Sequence, residues 1–340
     1  MTTVNSSNIN ITDLDFDEVS NSLKEYLRGQ DTLKDYDFSG SNLAVLLDIL
    51  AYSAHTSAFN ANMIASEMFL DTAQIRKNVV SRAKELGYTP SSRTAARASF
   101  DLTVISPTVG GSTPSSLTIN RGHEFRTVYD GTPFTFISLD NKTITPDAGT
   151  FTFNGLEVAQ GKLTTDIYRY NSQISNQRFS LLNQNVDTST IKITVTSNDT
   201  VTTWSKAGDL TGVSSSSNVY YIQENDVGLF EIYFGDGIIG ARPKDGDLIT
   251  ITYLVTDTIH ANGAKTFSMI TSISGNTNVS FTNTISASGG KSKESIDQIK
   301  FSASKFYTSQ NRLVTVQDYK AKLQELYPGA DSIAVWGGED

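Results

Sequence analysis

Four aspartates, Asp226, Asp236, Asp245 and Asp247, fall within 22 residues, with Glu231 among them. Carboxylates at that density suit a calcium ion, and two of them facing across a cleft suit general acid–base work on a glycosidic bond. Their neighbours point elsewhere. Each aspartate lies beside a glycine or in a turn, where its side chain accepts hydrogen bonds from nearby backbone N–H groups. The expectation is turn geometry. A β-rich adhesin or glycan-degrading protein using Asp236 or Asp247 with Glu231 stands as the alternative.

Other reactive groups are sparse. The three histidines, His55, His123 and His260, lie far apart and none has a metal-ligand spacing. Gly289-Gly290-Lys291-Ser292 has the end of a phosphate loop, but the glycine required five positions before Gly290 is Ile285. There is no G-x-S-x-G elbow. With no cysteine in the chain, disulfide frameworks, thiolate metal sites and cysteine nucleophiles are excluded. No catalytic residue, metal ligand or cofactor is assigned.

The elements that would position these groups follow from periodicity. Phe16, Val19, Leu23 and Leu27 recur at helical spacing before Gly29. A second helix opens at Ser41, with Leu43, Leu46, Leu47 and Leu50 as an apolar stripe continued by Phe59, Met63, Ile64 and Met68. A third is expected from Asp71 or Thr72 to Gly87. At Ala98 the period changes to two, and strands are expected at 115–120, 124–129, 133–138, 149–153, 189–196, 219–223, 228–234, 248–255 and 279–285. Asp130-Gly131, Asn154-Gly155, Gly235-Asp236-Gly237 and Asp245-Gly246 read as turns between them. After Gly289-Gly290 helical spacing returns, Thr315 and Asp318 form a capping box, and Ser332 to Val335 reads as a strand.

These readings predict an α+β multidomain chain. It comprises an N-terminal helical module (1–92), a central, mostly antiparallel β body (93–288) and the start of a small α/β unit (289–340). That last unit, ending after one strand, is expected to be completed by further polypeptide or another chain. The helical module carries an apolar stripe too extensive for so short a bundle. Leu43, Leu46, Leu47, Leu50, Phe59 and Met63 are therefore candidates for partner binding.

Composition agrees. Of 340 residues 40 are Ser and 40 Thr, which suits pleated surfaces and turns. The formal net charge of -9 opposes sequence-independent nucleic-acid binding. No apolar run is long enough to span a membrane, and the first 18 residues lack the basic and apolar regions of a secretory signal, which points to synthesis in the cytosol.

The most specific string is Phe234-Gly235-Asp236-Gly237-Ile238-Ile239-Gly240-Ala241-Arg242-Pro243, a strand end followed by a glycine-rich turn. It resembles the F-G-D-G signature of baseplate J-like proteins of contractile phage tails, with Phe234, Gly235, Asp236, Gly237, Gly240 and Pro243 as its structural turn. Asn262-Gly263, Gly289-Gly290, Leu313 to Tyr319 and Tyr327 to Ala330 extend the similarity. Asp35 to Ser41, Leu43 to Tyr52, Leu86 to Pro90 and Val186 to Ser189 are similar to the T-even-type baseplate wedge group that carries this domain. The resemblance implies a structural subunit with no enzymatic role, located in the virion tail baseplate and assembled in the host cytoplasm. Its implied partners are a second copy of itself, a larger wedge protein met through the N-terminal helices, and sheath-initiator and other baseplate proteins. Six such wedges would form an inner ring that rearranges on sheath contraction. Members of that wedge group continue well past the Trp336-Gly-Gly-Glu-Asp340 segment.

Overall fold

The computed structural model describes residues 15–29, 41–105, 111–147, 150–208, 212–309, 312–327 and 332–337. The chain divides into two compact units, Met1–Leu86 and Gly87–Asp340. Residues 35–40 of the Asp35–Ser41 segment and residues 328–330 of the Tyr327–Ala330 segment lie outside the described residues.

The first unit holds three helices: α1 (Phe16–Arg28), α2 (Asn42–Glu67) and α3 (Arg76–Glu85). Asp15 caps α1, whose first turn carries Asp17 and Glu18 against the positive end of the helix dipole. Ser41 Oγ caps α2 by accepting from Ala44 N at 3.0 Å. Helix α3 begins later than its sequence suggests. Thr72 donates to the Ser66 carbonyl at 2.5 Å, within a turn at 70–72 that delays the helix. Ile75, with no side-chain acceptor, then becomes the N-cap. The Glu67 carboxylate supplies the missing acceptor, taking Gln74 N at 2.8 Å, Ile75 N at 3.2 Å and Asn78 Nδ2 at 2.8 Å.

The second unit runs through β1 (Arg97–Val104), β2 (Leu117–Ile119), β3 (Glu124–Tyr129), β4 (Thr132–Ser138), β5 (Lys142–Ile144), β6 (Phe151–Gln160), β7 (Lys162–Arg169), β8 (Phe179–Ser180), β9 (Val186–Ser197), β10 (Thr200–Lys206), β11 (Val219–Glu224), β12 (Phe230–Phe234), β13 (Leu248–Val255), β14 (Phe267–Met269) and β15 (Val279–Ser288). Helices α4 (Ile296–Ser309) and α5 (Val316–Leu326) follow. The fold is thus α+β, with a helical N-terminal unit, an antiparallel β-rich body and small C-terminal helices.

The β body is two sheets. One has the order β14-β3-β4-β6-β1-β15, the other β7-β13-β9-β10-β11-β12-β8, and β2 and β5 form a separate ribbon. Pairing is antiparallel except between β10 and β11. The seven-stranded sheet is inserted between β6 and β14, and each sheet has its own core. Phe100, Phe125, Phe136, Phe151 and Phe153 fill the first; Ile193, Trp204, Ile232, Ile251 and Tyr253 fill the second.

The insertion is clamped where the chain enters and leaves it. Gln160 Oε1 accepts from Thr256 Oγ1 at 2.6 Å and from Asp257 N at 2.9 Å, while its Nε2 donates to Asp257 Oδ2 at 3.0 Å. Gly161 sits at φ +137°, and a Cβ there would lie 2.3 Å from the Val255 carbonyl oxygen. Only glycine fits. Asp187, almost wholly buried, ties the segment before β1 to β9. It accepts from Ala95 N at 2.9 Å and from Ser189 Oγ at 2.6 Å.

Three expectations are corrected. Asn154-Gly155 is a bulge within a strand that continues to Gln160, because Asp101 Oδ1 accepts Gly155 N at 2.6 Å and holds the extra residue in register with β1. Strands β5, β7, β8, β10 and β14 are additional to those expected. Residues 332–337 form no strand: they pair with no other strand among the described residues.

Candidate partner-binding surface

Helix α2 carries apolar residues on more than one face, and it buries mainly small side chains. Ala44, Leu47, Ala51, Ala58 and Ala65 share one face and are buried, in a unit where α2 packs with α1. The large side chains turn outward. Leu46 is 55% exposed, Leu50 57%, Phe59 62% and Met63 46%, and Val45, Ile49, Ile64 and Met68 join them. Leu43 is half-buried and Leu47 is 4% exposed, so within this stripe Leu47 belongs to the unit's own core. A polar band of Ser53, Thr56, Ser57 and Asn60 separates the outward residues into an N-terminal and a C-terminal group.

Large apolar side chains left exposed along a second helix face are normally covered by a partner. At 26 residues α2 is about 39 Å long, but no helix among the described residues is long and apolar enough to cross a membrane. Covering one large aliphatic or aromatic side chain contributes roughly 1.5–3 kcal/mol. Four such groups exceed what ordinary surface contacts supply.

The Phe234–Pro243 string forms a rigid turn at the end of β12. Asp236 Oδ1 accepts from Ile238 N at 2.8 Å and Ile239 N at 3.0 Å, and those bonds hold its carboxyl below the usual carboxylate range. Gly237 and Gly240 have φ +90° and +87°, and a Cβ on Gly235 would lie 2.4 Å from the Ile239 and Gly240 carbonyl oxygens. Gly240 N and Ala241 N donate to Ser214 O and Ser217 O at 3.2 and 2.8 Å, fastening the turn to the serine loop. Arg242 Nε donates to Tyr170 Oη at 2.9 Å, and Pro243 is buried. Ile238 remains 76% exposed at the tip.

Two of the other acids serve backbone in the same way. Asp245 accepts from Ser172 N at 2.8 Å, which lowers its pKa, and Asp247 accepts from Lys244 N at 2.8 Å. Buried Glu231 binds Arg178 at 3.2 Å and Gln223. Burial lowers the His123 pKa, and no three His, Asp or Glu side chains among the described residues are placed to hold a metal. The arrangement builds a stiff scaffold.

Two separated motifs are brought together. Asn262 Nδ2 donates to Gly290 O at 3.0 Å and Gly290 N donates to Asn262 Oδ1 at 2.9 Å. Gly263, at φ +96°, lies against Tyr129, whose hydroxyl would stand 2.4 Å from a Cβ. A buried ion pair escaped the sequence reading. Glu224, 1% exposed, meets Lys293 Nζ at 2.9 Å, and that ammonium also lies 5.2 Å from the Phe230 ring centroid. Strand alternation places Glu224 inward, but its partner is 69 residues away with no local cue.

Comparison with known proteins bears on both units. Residues 15–88 match a family described as "Baseplate wedge protein gp6-like, helical domain", and residues 166–256 match "Bacteriophage baseplate wedge protein gp6, third domain". The first span takes in α1 to α3; the second coincides with the inserted sheet. "Baseplate wedge protein gp6" of Enterobacteria phage T4 is 28% identical over 337 residues, covering 92% of this chain and 50% of that protein. The chain therefore spans about half the length of the curated relative it matches. Among solved structures, a chain of "Cryo-EM structure of the anti-feeding prophage (AFP) baseplate, 6-fold symmetrised" is similar over 94% of this chain and 66% of that chain. Its identity is 13% and its TM-score 0.31, too low to bear on fold or function.

Proposed function

We propose that this protein is a structural subunit of a contractile-tail phage baseplate wedge. The carrying observation is the agreement of the two family matches with two distinct parts of the fold, the three-helix unit and the inserted seven-stranded sheet, in one chain related along its length to a wedge protein. The outward apolar groups of α2 support docking through the helical unit, with Leu46, Leu50, Phe59 and Met63 as contact residues and Leu47 as their support.

The finer reading assigns residues 1–92 to wedge attachment, 93–288 to a baseplate J-like body carrying the Phe234–Pro243 turn, and 289–340 to the start of a further small domain. A second copy, a larger wedge protein and sheath-initiator proteins are its partners, in an inner ring that rearranges on contraction. The role is non-enzymatic. Asp236 and Asp247 accept backbone hydrogen bonds and Glu231 an arginine, which supports scaffold duty over glycan hydrolysis.

Immunogold labelling of purified particles with antibody to this chain tests the assignment. Label at the baseplate end of contractile tails is expected. Label on heads or tube, or none on particles, contradicts it.

A further inference from the structure

Five basic side chains, Lys291, Lys305, Arg312, Lys320 and Lys322, line one cavity of about 570 Å³ in the C-terminal part of the second unit. They come from the link after β15, from α4, from the segment before α5, and from α5 itself. In a chain with 27 Lys+Arg against 36 Asp+Glu, that gathering runs against the overall charge. Two acids of the same wall are already engaged. Glu294 is buried and accepts from Tyr88 Oη at 2.9 and 3.0 Å and from Ser91 N at 2.9 Å. Asp318 accepts from Thr315 N at 2.8 Å in the α5 capping box. Asp297, in the first turn of α4, is the third.

Aromatic rings share the cavity with these cations. Tyr88 and Phe306 pack with centroids 5.8 Å apart, and Phe301, 68% exposed, has Lys305 Nζ 5.7 Å from its ring centroid. We propose that this cavity docks an extended acidic segment of another subunit, in which carboxylates alternate with aromatic side chains. The cations are distributed over separate elements, which suits spaced carboxylates better than one compact anion, and charge complementarity of this kind sets partner choice. The rings supply the apolar half of the contact. A polyphosphate backbone is disfavoured by the net charge of -9 and by Asp297 and Asp318 on the wall. The sequence Asp35-Tyr36-Asp37-Phe38 has the required chemistry and supplies the probe.

The test titrates a fluorescent peptide of the sequence of residues 31–40 into the whole chain. Saturable binding is expected, weakened about fivefold or more between 50 and 300 mM NaCl as screening sets in. Lys305→Glu with Arg312→Glu should weaken it about tenfold or more, about 1.4 kcal/mol, with the variant's melting curve checking that it folds. A peptide carrying Asp35→Asn and Asp37→Asn should lose affinity to the same degree, and that arm leaves the protein untouched. Undiminished binding of the Asn peptide or of the charge-reversed protein overturns the proposal. So does displacement by millimolar inorganic phosphate, which marks a small-anion site, or tighter binding of a ten-nucleotide single-stranded DNA than of the peptide.

Discussion

Asn262 and Gly290, 28 residues apart, exchange two hydrogen bonds, so that the carboxamide of one closes on the backbone of the other at 3.0 and 2.9 Å. The pair joins the turn after the inserted sheet to the link that leads into α4. An asparagine serves here because only a carboxamide offers a donor and an acceptor side by side. Asn262→Ala should cost about 1–3 kcal/mol, because the part-buried Gly290 N–H and carbonyl both lose their partner. Urea denaturation checks this, and Asn262→Asp should recover little of the loss, since a carboxylate cannot donate.

Glycines in this chain should differ in tolerance by their surroundings. Gly161→Ala forces a Cβ to 2.3 Å from the Val255 oxygen at φ +137°, whereas Gly155, at φ +56°, has nothing within 4 Å. The first substitution should destabilise by more than about 3 kcal/mol and the second by about 1 kcal/mol. Paired thermal melts decide the order.

The buried Glu224–Lys293 pair should behave asymmetrically. Lys293→Met leaves the carboxylate in the core without its ammonium and should cost about 3–5 kcal/mol, while a joint Glu224→Leu/Lys293→Met change should recover much of that loss. A double-mutant cycle in denaturant measures it.

Alkaline stability should be limited partly by Tyr220, whose pKa burial pushes up to about 12 from 10.0. The folded chain holds this proton more tightly than the unfolded chain. The resulting stability is complete below pH 10 and is lost as pH rises from 10 to about 12. Tyr220→Phe should flatten that part of the pH–stability curve.

Much of this was legible from residue order. Asp130-Gly131 forecasts the β3–β4 hairpin, and both residues adopt positive φ, 48° and 74°. Thr315 and Asp318 forecast a capping box that forms as read. The division of the β body was hidden, because its clamp, Gln160 with Thr256 and Asp257, joins residues nearly a hundred positions apart. Strand β10 was hidden too, since Trp204 alone among its residues is buried and no alternation shows. In α2 an apolar stripe was visible, but its direction was not. Ala44, Leu47, Ala51, Ala58 and Ala65 face inward and Leu46, Leu50, Phe59 and Met63 outward, a choice set by tertiary packing that periodicity in a helix with apolar residues on more than one face cannot express.

The central claim is that α2's outward apolar groups attach a wedge subunit to its neighbours. The direct measurement is electron microscopy of particles made with Leu46→Asp and Leu50→Asp, alongside the melting curve of the purified variant. Both positions are more than half exposed, so the melt should shift little, while contractile tails with baseplates should be lost. Normal, baseplate-bearing tails from a variant present at wild-type abundance would contradict the account.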